Sequence, residues 1–312
     1  MRTIKIAIAG AGALGSRFGY LLHKAGHDVI LIDKWDDHIE NIRTNGLTVE
    51  DGQEKHTVNI PIFYPHEVSD VVDFVFMFTK SMGLGDMLKD IKPIIGPNTG
   101  VISLLNGIGH EDVLKDYLPL ENIYIGVTIL TSKLIGPGHV AFDGAGATEI
   151  QNFVKGDEQE KNARQIVNAL DEAGLNASYS EDVKFSIWRK ACVNGAMNAT
   201  CALLDCNLAQ FESTDQAEDI IRQIVQEFAQ VAKQKGTTLD VEEMVDYILD
   251  SARKVGSHHP SMHQDLVQNH RYTEVDFLNG AVARMAEEEG LNAPFNTIIT
   301  QLIHAKEQIL IV

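Results

Sequence analysis

The chain of 312 residues has few cysteines, fewer basic than acidic residues and no long apolar run. Cys192, Cys201 and Cys206 are odd in number and lack CxxC spacing, so we expect reduced thiols in a cytoplasmic protein. The longest apolar runs, such as residues 71–78, are too short to span a bilayer. Because a strand-like run begins within a few residues of the N-terminus, we also expect no signal peptide.

The scarcity of positive charge narrows the choice of partners. The chain has 26 Lys and Arg against 44 Asp and Glu, a net charge of -18. Such a charge opposes binding to nucleic acid and to anionic membranes, so we predict neither as a partner. An anionic substrate would have to be attracted by local positive groups.

Several catalytic and metal-binding patterns are missing as well. There is no GKS/T phosphate loop and no Ser-His-Asp order, so phosphoryl and acyl transfer are not supported. His259 and His263 have the i, i+4 spacing of zinc ligands, but the glutamate of HExxH and a third ligand are lacking. We therefore predict no metal site.

The first forty residues carry the clearest positive pattern. An apolar run, 4–9, leads into the glycine turn 10–15, with the sequence GAGALG. A helix-like stretch, 16–25, follows, and a second apolar run, 29–32, ends on Asp33. Strand, glycine turn, helix, strand and acid in this order form the dinucleotide-binding fingerprint.

The glycine turn predicts the cofactor's phosphate site. Gly10 permits the tight turn, Gly12 lets a pyrophosphate approach the backbone, and Gly15 lets the helix pack closely on the sheet. Ala13 and Leu14 lie at the helix N-terminus, where backbone N–H groups favour an anion.

Asp33 predicts which nicotinamide cofactor is bound. Its carboxylate is placed to accept hydrogen bonds from the adenosine ribose, and it would repel a 2′-phosphate. We therefore expect NAD, with NADP less favoured. Lys34 leaves the alternative open, because its ammonium group could turn toward a 2′-phosphate.

The chain divides into an α/β half and a helical half. Further strand-like runs occur at 71–78, 101–105, 123–127 and 176–179, with helical segments and turns between them. Nearly continuous apolar runs are typical of a parallel sheet covered on both faces. We predict an α/β fold with a doubly wound Rossmann domain over residues 1–180 and an all-α, substrate-binding domain over 181–312.

Polar residues at strand ends and along one helix are the candidate substrate site. Lys80 and Asn106 each follow an apolar strand, where a nicotinamide and its substrate would lie. Lys190, Asn194 and Asn198 share one face of a helix over 183–201 that is otherwise apolar. This stripe should face a polar or water-filled interior. One lysine and two asparagines there could bind the carboxylate and the carbonyl of a substrate.

Two later segments add candidates. Ser261 is expected in the first turn of a helix that begins at Pro260, where backbone N–H groups favour an anion. Thr273 to Asp276 resembles a capping box with Thr273 as the cap. From the residues alone, Glu274 is better explained as an acid that stabilises a helix N-terminus than as a catalytic group.

The chain resembles the ketopantoate reductase family over nearly its whole length. The resemblance is carried by the glycine turn, by Lys80 and Asn106-Gly107, by the Lys190, Asn194 and Asn198 helix, and by the segments 261–265 and 273–280. It implies reduction of a 2-keto acid to a D-2-hydroxy acid by hydride transfer from a nicotinamide. Lys190 would be the general acid and Glu274 the residue that positions it. Asn194, Asn198 and Ser261 would bind the substrate, and Lys80 and Asn106 would lie beside the nicotinamide ribose and the substrate.

Asp33 is one departure from that pattern. Family members that act on ketopantoate usually carry a basic residue there and use NADPH, whereas a D-2-hydroxyacid or D-mandelate dehydrogenase branch uses NAD. We expect an NAD-dependent D-2-hydroxyacid dehydrogenase for branched or aromatic 2-keto acids, with small-molecule 2-keto and 2-hydroxy acids as partners. NADPH-dependent 2-dehydropantoate 2-reductase is the alternative. A non-catalytic nucleotide sensor is less favoured, and a homodimer is left open.

Overall fold

The computed structural model describes residues 3–144 and 146–311. The chain forms two compact units. The first comprises Met1–Leu105 and His110–Val183, and the second comprises Asn106–Gly109 and Lys184–Val312.

The first unit is built on two sheets. Its strands are β1 (Lys5–Ala9), β2 (Asp28–Ile32), β3 (Leu47–Asp51), β4 (Glu54–Val58), β5 (Ile62–Phe63), β6 (Phe74–Met77), β7 (Gly100–Ser103), β8 (Ile123–Thr128), β9 (Lys133–Gly136), β10 (His139–Phe142), β11 (Thr148–Asn152) and β12 (Ala177–Tyr179). The large sheet has the order β12-β11-β8-β7-β6-β1-β2-β5, and the small one has the order β4-β3-β10-β9.

The large sheet has the strand order of a dinucleotide-binding fold. Strands β5, β2, β1, β6, β7 and β8 are parallel, as is the β11–β12 pair, and among the described strands of this sheet only the β8–β11 pair is antiparallel. From β1 the chain adds β2 and β5 on one side, and it then adds β6, β7 and β8 on the other side. The order in which strands are added therefore reverses between the neighbouring strands β1 and β6. Ligands bind outside the carboxyl ends of the strands at such a switch point, and here those ends carry the glycine turn and Lys80.

The helices of the first unit are α1 (Ala13–Lys24), α2 (Asp36–Asn45), α3 (Leu84–Asp90), α4 (His110–Lys115) and α5 (Asp157–Glu172). Four of the five residues of β1 and all four residues of β6 are buried, because helices cover the sheet. The small sheet was not expected. Its strands are short and polar on one side, so they lack the apolar runs that marked the large sheet.

The second unit is helical. Its helices are α6 (Val183–Leu204), α7 (Leu208–Glu212), α8 (Ala217–Gln234), α9 (Val241–Val255), α10 (Ser261–His263), α11 (Asn279–Glu288) and α12 (Pro294–Leu310). A π-helical turn, Gln264–Gln268, continues α10. The amphipathic helices α8 and α9 pack their apolar faces into a core that also contains much of α6.

The predicted fold class is therefore confirmed: a mainly parallel α/β sheet is followed by an all-α unit. Within residues 3–144 and 146–311, no helix combines the length and the apolar character needed to cross a membrane.

Candidate active site

The glycine turn has the geometry of a phosphate site. Gly10 has a φ of 101°, and a Cβ there would lie 2.6 Å from the Thr79 backbone nitrogen. A Cβ on Gly15 would collide with the Gly10 carbonyl oxygen, whereas a Cβ on Gly12 would meet no atom within 4 Å. Gly12 therefore borders open space at the N-terminus of α1, which begins at Ala13. This arrangement fits a dinucleotide pyrophosphate.

Asp33 is fixed by backbone N–H groups at the end of β2. Its Oδ2 accepts a hydrogen bond from the Ala11 N–H at 2.7 Å. Its Oδ1 accepts from the N–H groups of Lys34 at 2.7 Å and Trp35 at 3.0 Å. A carboxylate offers about four acceptor positions, so capacity remains for a ribose hydroxyl.

The Lys34 side chain is engaged by an acid. Its Nζ lies 2.7 Å from Asp90 Oδ2 on α3. Both side chains are nearly half exposed, so the pair is weak and the ammonium group can be displaced. In this arrangement the Lys34 ammonium group would have to leave Asp90 to reach a 2′-phosphate.

The end of β6 adds a hydroxyl to the turn. Lys80 is exposed, and its carbonyl accepts from the Gly83 N–H at 2.8 Å. Among the described residues, the buried Thr79 Oγ1 has no hydrogen-bond partner. The Thr79 backbone nitrogen lies against Gly10, and an unpartnered hydroxyl beside the glycine turn fits the binding of a polar ligand there.

In the second unit, three predicted residues come together. Lys190 Nζ donates a hydrogen bond to Asn106 Oδ1 at 2.7 Å, across 84 residues of sequence. The Asn106 turn is attached to the segment that follows Glu274. The Ile108 N–H donates to the Phe277 carbonyl at 2.9 Å, and Gly107, with a φ of 109°, packs against the same carbonyl.

The electrostatics of Lys190 suit proton transfer. Burial lowers the pKa of its ammonium group from 10.5 to about 8, and the opposing charge of Glu274 raises it by a smaller amount. Desolvation is therefore the stronger of the two effects. A lysine with a pKa of about 8 can give and regain a proton near neutral pH.

Asn194 and Asn198 continue the polar stripe of α6. Asn194 is half-buried, and Asn198 is buried. Asn198 Nδ2 lies 3.4 Å from Ser261 Oγ, at the first residue of α10. The rise of an α-helix makes the stripe from Lys190 to Asn198 about 12 Å long. Pro260 is the N-cap of α10 and not its first helical residue as predicted.

The predicted capping box does not form around Glu274. Thr273 Oγ1 accepts from the Val275 N–H at 3.3 Å, and a short 3₁₀ turn, Val275–Phe277, follows. The α-helix begins only at Asn279, because Leu278 has a non-helical backbone. Glu274 therefore lies directly before a 3₁₀ turn. Its negative charge raises the pKa of Lys190.

A buried polar cluster that supports α6 was missed in the sequence. Glu227 on α8 accepts hydrogen bonds from the backbone N–H groups of Phe295 at 2.9 Å and Asn296 at 2.8 Å, at the start of α12. Asn279 Nδ2 donates to Asn296 Oδ1 and to the Gly195 carbonyl, next to Asn194. One feature of the sequence could have indicated this cluster, because Glu227 interrupts the apolar face of α8.

A buried histidine of the first unit was also missed. His110 Nε2 lies 2.9 Å from Ser81 Oγ, in the turn after Lys80. Burial lowers the pKa of His110 from 6.5 to about 4, so the ring is neutral at neutral pH. The sequence gives only a histidine after Gly109, and no local pattern identifies its partner.

His259 and His263 in the 258–263 segment make ring-stacking and polar contacts. The rings of His259 and His263 are stacked at 4.1 Å, and His263 Nε2 lies 2.8 Å from Asp205 Oδ1. In the part of the chain that the structure describes, no three His, Cys, Asp or Glu side chains group as metal ligands.

The strand order, the glycine turn and the partly buried lysine are those of a nicotinamide-dependent oxidoreductase. Comparisons with known proteins identify the family. Residues 6–155 match the family described as ketopantoate reductase PanE/ApbA, and residues 182–307 match its C-terminal counterpart. The chain belongs to the ketopantoate reductase family, whose members act on 2-keto and 2-hydroxy acids.

Individual relatives cover almost the whole chain. A 2-dehydropantoate 2-reductase of Streptococcus pyogenes serotype M3 is 48% identical over 305 residues, which is 98% of both chains. One of Lactococcus lactis subsp. lactis is 44% identical and covers 98% of this chain and 99% of its own. A solved D-mandelate dehydrogenase, in a ternary complex with NADH and anilino(oxo)acetate, is 45% identical with a TM-score of 0.95. It covers 99% of this chain and 100% of its own.

Proposed function

We propose that this protein is an NAD-dependent D-2-hydroxyacid dehydrogenase that interconverts branched or aromatic 2-keto acids and D-2-hydroxy acids. The observation that carries the proposal is Asp33. Its carboxylate is held by three backbone N–H groups at the end of β2, where the adenosine ribose of a dinucleotide lies. A fixed negative charge there favours ribose hydroxyls and repels a 2′-phosphate.

Two further observations support this choice of cofactor. Lys34, the nearest basic side chain in the sequence, is paired with Asp90. The similar D-mandelate dehydrogenase was solved with NADH.

In this proposal, the contacts of the site residues support the following roles. NADH held by the glycine turn and Asp33 would supply a hydride to the keto carbon. Negative charge then develops on the carbonyl oxygen, and Lys190 Nζ stabilises this charge and gives the oxygen a proton. Asn106 accepts a hydrogen bond from Lys190 and thereby aims the ammonium group. Glu274 keeps more of the lysine charged than burial alone would allow.

Neutral donors bind the rest of the substrate in this proposal. Asn194 and Asn198 offer amide N–H groups along the α6 stripe, and Ser261 offers a hydroxyl at its far end. In a chain with a net charge of -18, Lys190 is the local positive group that attracts a carboxylate.

The remaining assignments belong to the same proposal. Residues 1–180 would bind the dinucleotide through Gly10, Gly12, Ala13, Leu14, Gly15, Asp33 and Lys80. Residues 181–312, together with Asn106, would bind the substrate. The three free cysteines suit the reducing cytoplasm, which we propose as the location.

A second candidate is NADPH-dependent 2-dehydropantoate 2-reductase. It is favoured by the names of curated relatives at 44–48% identity. Asp33 speaks against it, because an acid at this position would oppose the 2′-phosphate of NADPH. A non-catalytic nucleotide sensor is less favoured, because it does not need a proton donor such as Lys190 with Asn106 and Glu274 around it.

The test is a panel of 2-keto acids assayed with NADH and with NADPH. We expect the highest kcat/KM with NADH and an aromatic or branched substrate such as benzoylformate or phenylpyruvate. Oxidation of D-mandelate but not L-mandelate should mirror this result. A preference for NADPH with ketopantoate would favour the second candidate, and binding of NADH without turnover of any keto acid would favour the sensor.

A further inference from the structure

An exposed tryptophan follows the acid of the cofactor site. Trp35 lies two residues after Asp33, at the N-cap of α2, and 40% of its surface is exposed. Its backbone N–H donates to Asp33 Oδ1 at 3.0 Å. The indole and the carboxylate thus belong to one hydrogen-bonded turn, so a ligand held by Asp33 lies near Trp35.

A buried histidine supports the indole from one side. The rings of Trp35 and His38 are stacked with their centroids 5.2 Å apart and an angle of 12° between their planes. His38 is fully buried, and its Nδ1 accepts from the Gly138 N–H at 3.0 Å. The Trp35 side chain is therefore fixed on one ring face by a rigid partner and keeps a large surface open to solvent.

The surroundings of His38 place this ring pair at the cofactor turn. Burial lowers the pKa of His38, while the Asp33 carboxylate and the backbone of Ala11 raise it by smaller amounts. These two groups belong to the acid and to the glycine turn. The indole is thus backed by a buried ring that lies close enough to this turn for the turn to influence its pKa.

We propose that Trp35 is the adenine platform of the cofactor site and stacks on the purine of the dinucleotide. The inference rests on the proposed function, in which Asp33 binds the adenosine ribose. Adenine is joined to that same ribose, so it lies within reach of a side chain two residues beyond Asp33. Every purine has a π-face that can stack on an aromatic ring. The strength of this stacking does not depend on whether the ribose carries a 2′-hydroxyl or a 2′-phosphate.

This assignment separates two tasks at the end of β2. Asp33 distinguishes NAD from NADP, whereas Trp35 binds the adenine of both equally. Removing the indole should therefore weaken NADH and NADPH by the same factor, about five- to 150-fold for the loss of one stacked base. Removing the Asp33 carboxylate should change their ratio.

The experiment uses the two tryptophans of the chain, Trp35 and the buried Trp188. In Trp188→Phe, the fluorescence of Trp35 alone is followed while AMP, NADH, NADPH or nicotinamide mononucleotide is added. Calorimetry then gives the Kd values of wild type, Trp35→Ala and Trp35→Phe. Tyr117→Ala is the matched control, because Tyr117 is another aromatic residue of the first unit and is 45% exposed.

The expected result is quenching of Trp35 by AMP and by both dinucleotides. Trp35→Ala should raise their Kd values by equal factors, Trp35→Phe should retain most of the affinity, and Tyr117→Ala should change nothing. Nicotinamide mononucleotide, which lacks adenine, should bind wild type and Trp35→Ala alike.

Two results would overturn the inference. One is an unchanged AMP affinity in Trp35→Ala while wild type still binds and oxidises NADH, which would leave the proposed function intact. The other is Trp35 emission that depends on protein concentration and not on nucleotide, which would assign the indole to a contact between copies. Trp35-dependent AMP binding without any keto-acid turnover would support the platform and refute the proposed function.

Discussion

Glu274→Gln should shift the pH dependence of the reduction reaction downward. In the wild type, burial lowers the pKa of Lys190 from 10.5 to about 8 even though Glu274 acts against it. The net penalty on the charged lysine is about 3 kcal/mol, at 1.36 kcal/mol for each pKa unit. Glutamine removes the negative charge and leaves burial unopposed, so the pKa falls further, by about one unit for a nearby opposite charge.

The assay is kcat/KM for reduction as a function of pH at constant ionic strength. A general acid must be protonated, so the wild-type rate should fall as pH rises through about 8, and oxidation should gain rate over the same range. In Glu274→Gln the fall should begin at lower pH. Glu274→Asp, which keeps the charge, should stay closer to wild type, and Glu288→Gln, an exposed acid of the same unit, should match it.

Two results would refute this reasoning. A wild-type inflexion near 10.5 would mean that Lys190 is not desolvated, and an unchanged or higher inflexion in Glu274→Gln would mean that Glu274 does not act on it.

Three other substitutions test separate parts of the site. Asp33→Ala should narrow the preference for NADH over NADPH in kcat/KM, since it removes a repulsion on the order of a few kcal/mol; a wild type that prefers NADPH would contradict this. Asn198→Ala should raise KM for the keto acid, at a cost of about 1–3 kcal/mol, with an unchanged Kd for NADH; equal weakening of both would place Asn198 outside the substrate site. Gly107→Ala should lower kcat and the Tm, because a Cβ would collide with the Phe277 carbonyl beside Asn106, whereas Gly136→Ala meets nothing within 4 Å and should behave as wild type.

Local patterns predicted much of the fold. The glycine turn and Asp33 are within one strand-helix-strand unit, so the spacing of a few residues determines their geometry. The α6 stripe was predictable for a similar reason, since residues four apart share a helix face. The small sheet was missed because its strands are short and carry polar residues on one side.

Contacts between distant segments could not be predicted in the same way. The hydrogen bond from Lys190 to Asn106 joins residues 84 positions apart, and the pairing of Lys34 with Asp90 depends on where α3 packs. The direction of the Lys190 pKa shift is another such case. Burial and Glu274 act in opposite directions, and only the packing around the ammonium group shows which is larger.

The most direct test of the account is the rate of keto-acid reduction by Lys190→Ala, measured together with its affinity for NADH. We expect kcat to fall by about 10²–10⁴-fold while the Kd for NADH stays near that of wild type, because the variant loses the proton donor and keeps the cofactor site. Lys190→Arg should not restore the rate, since a guanidinium group stays protonated. A Lys190→Ala variant with near-normal kcat would contradict the assignment of Lys190 as the general acid.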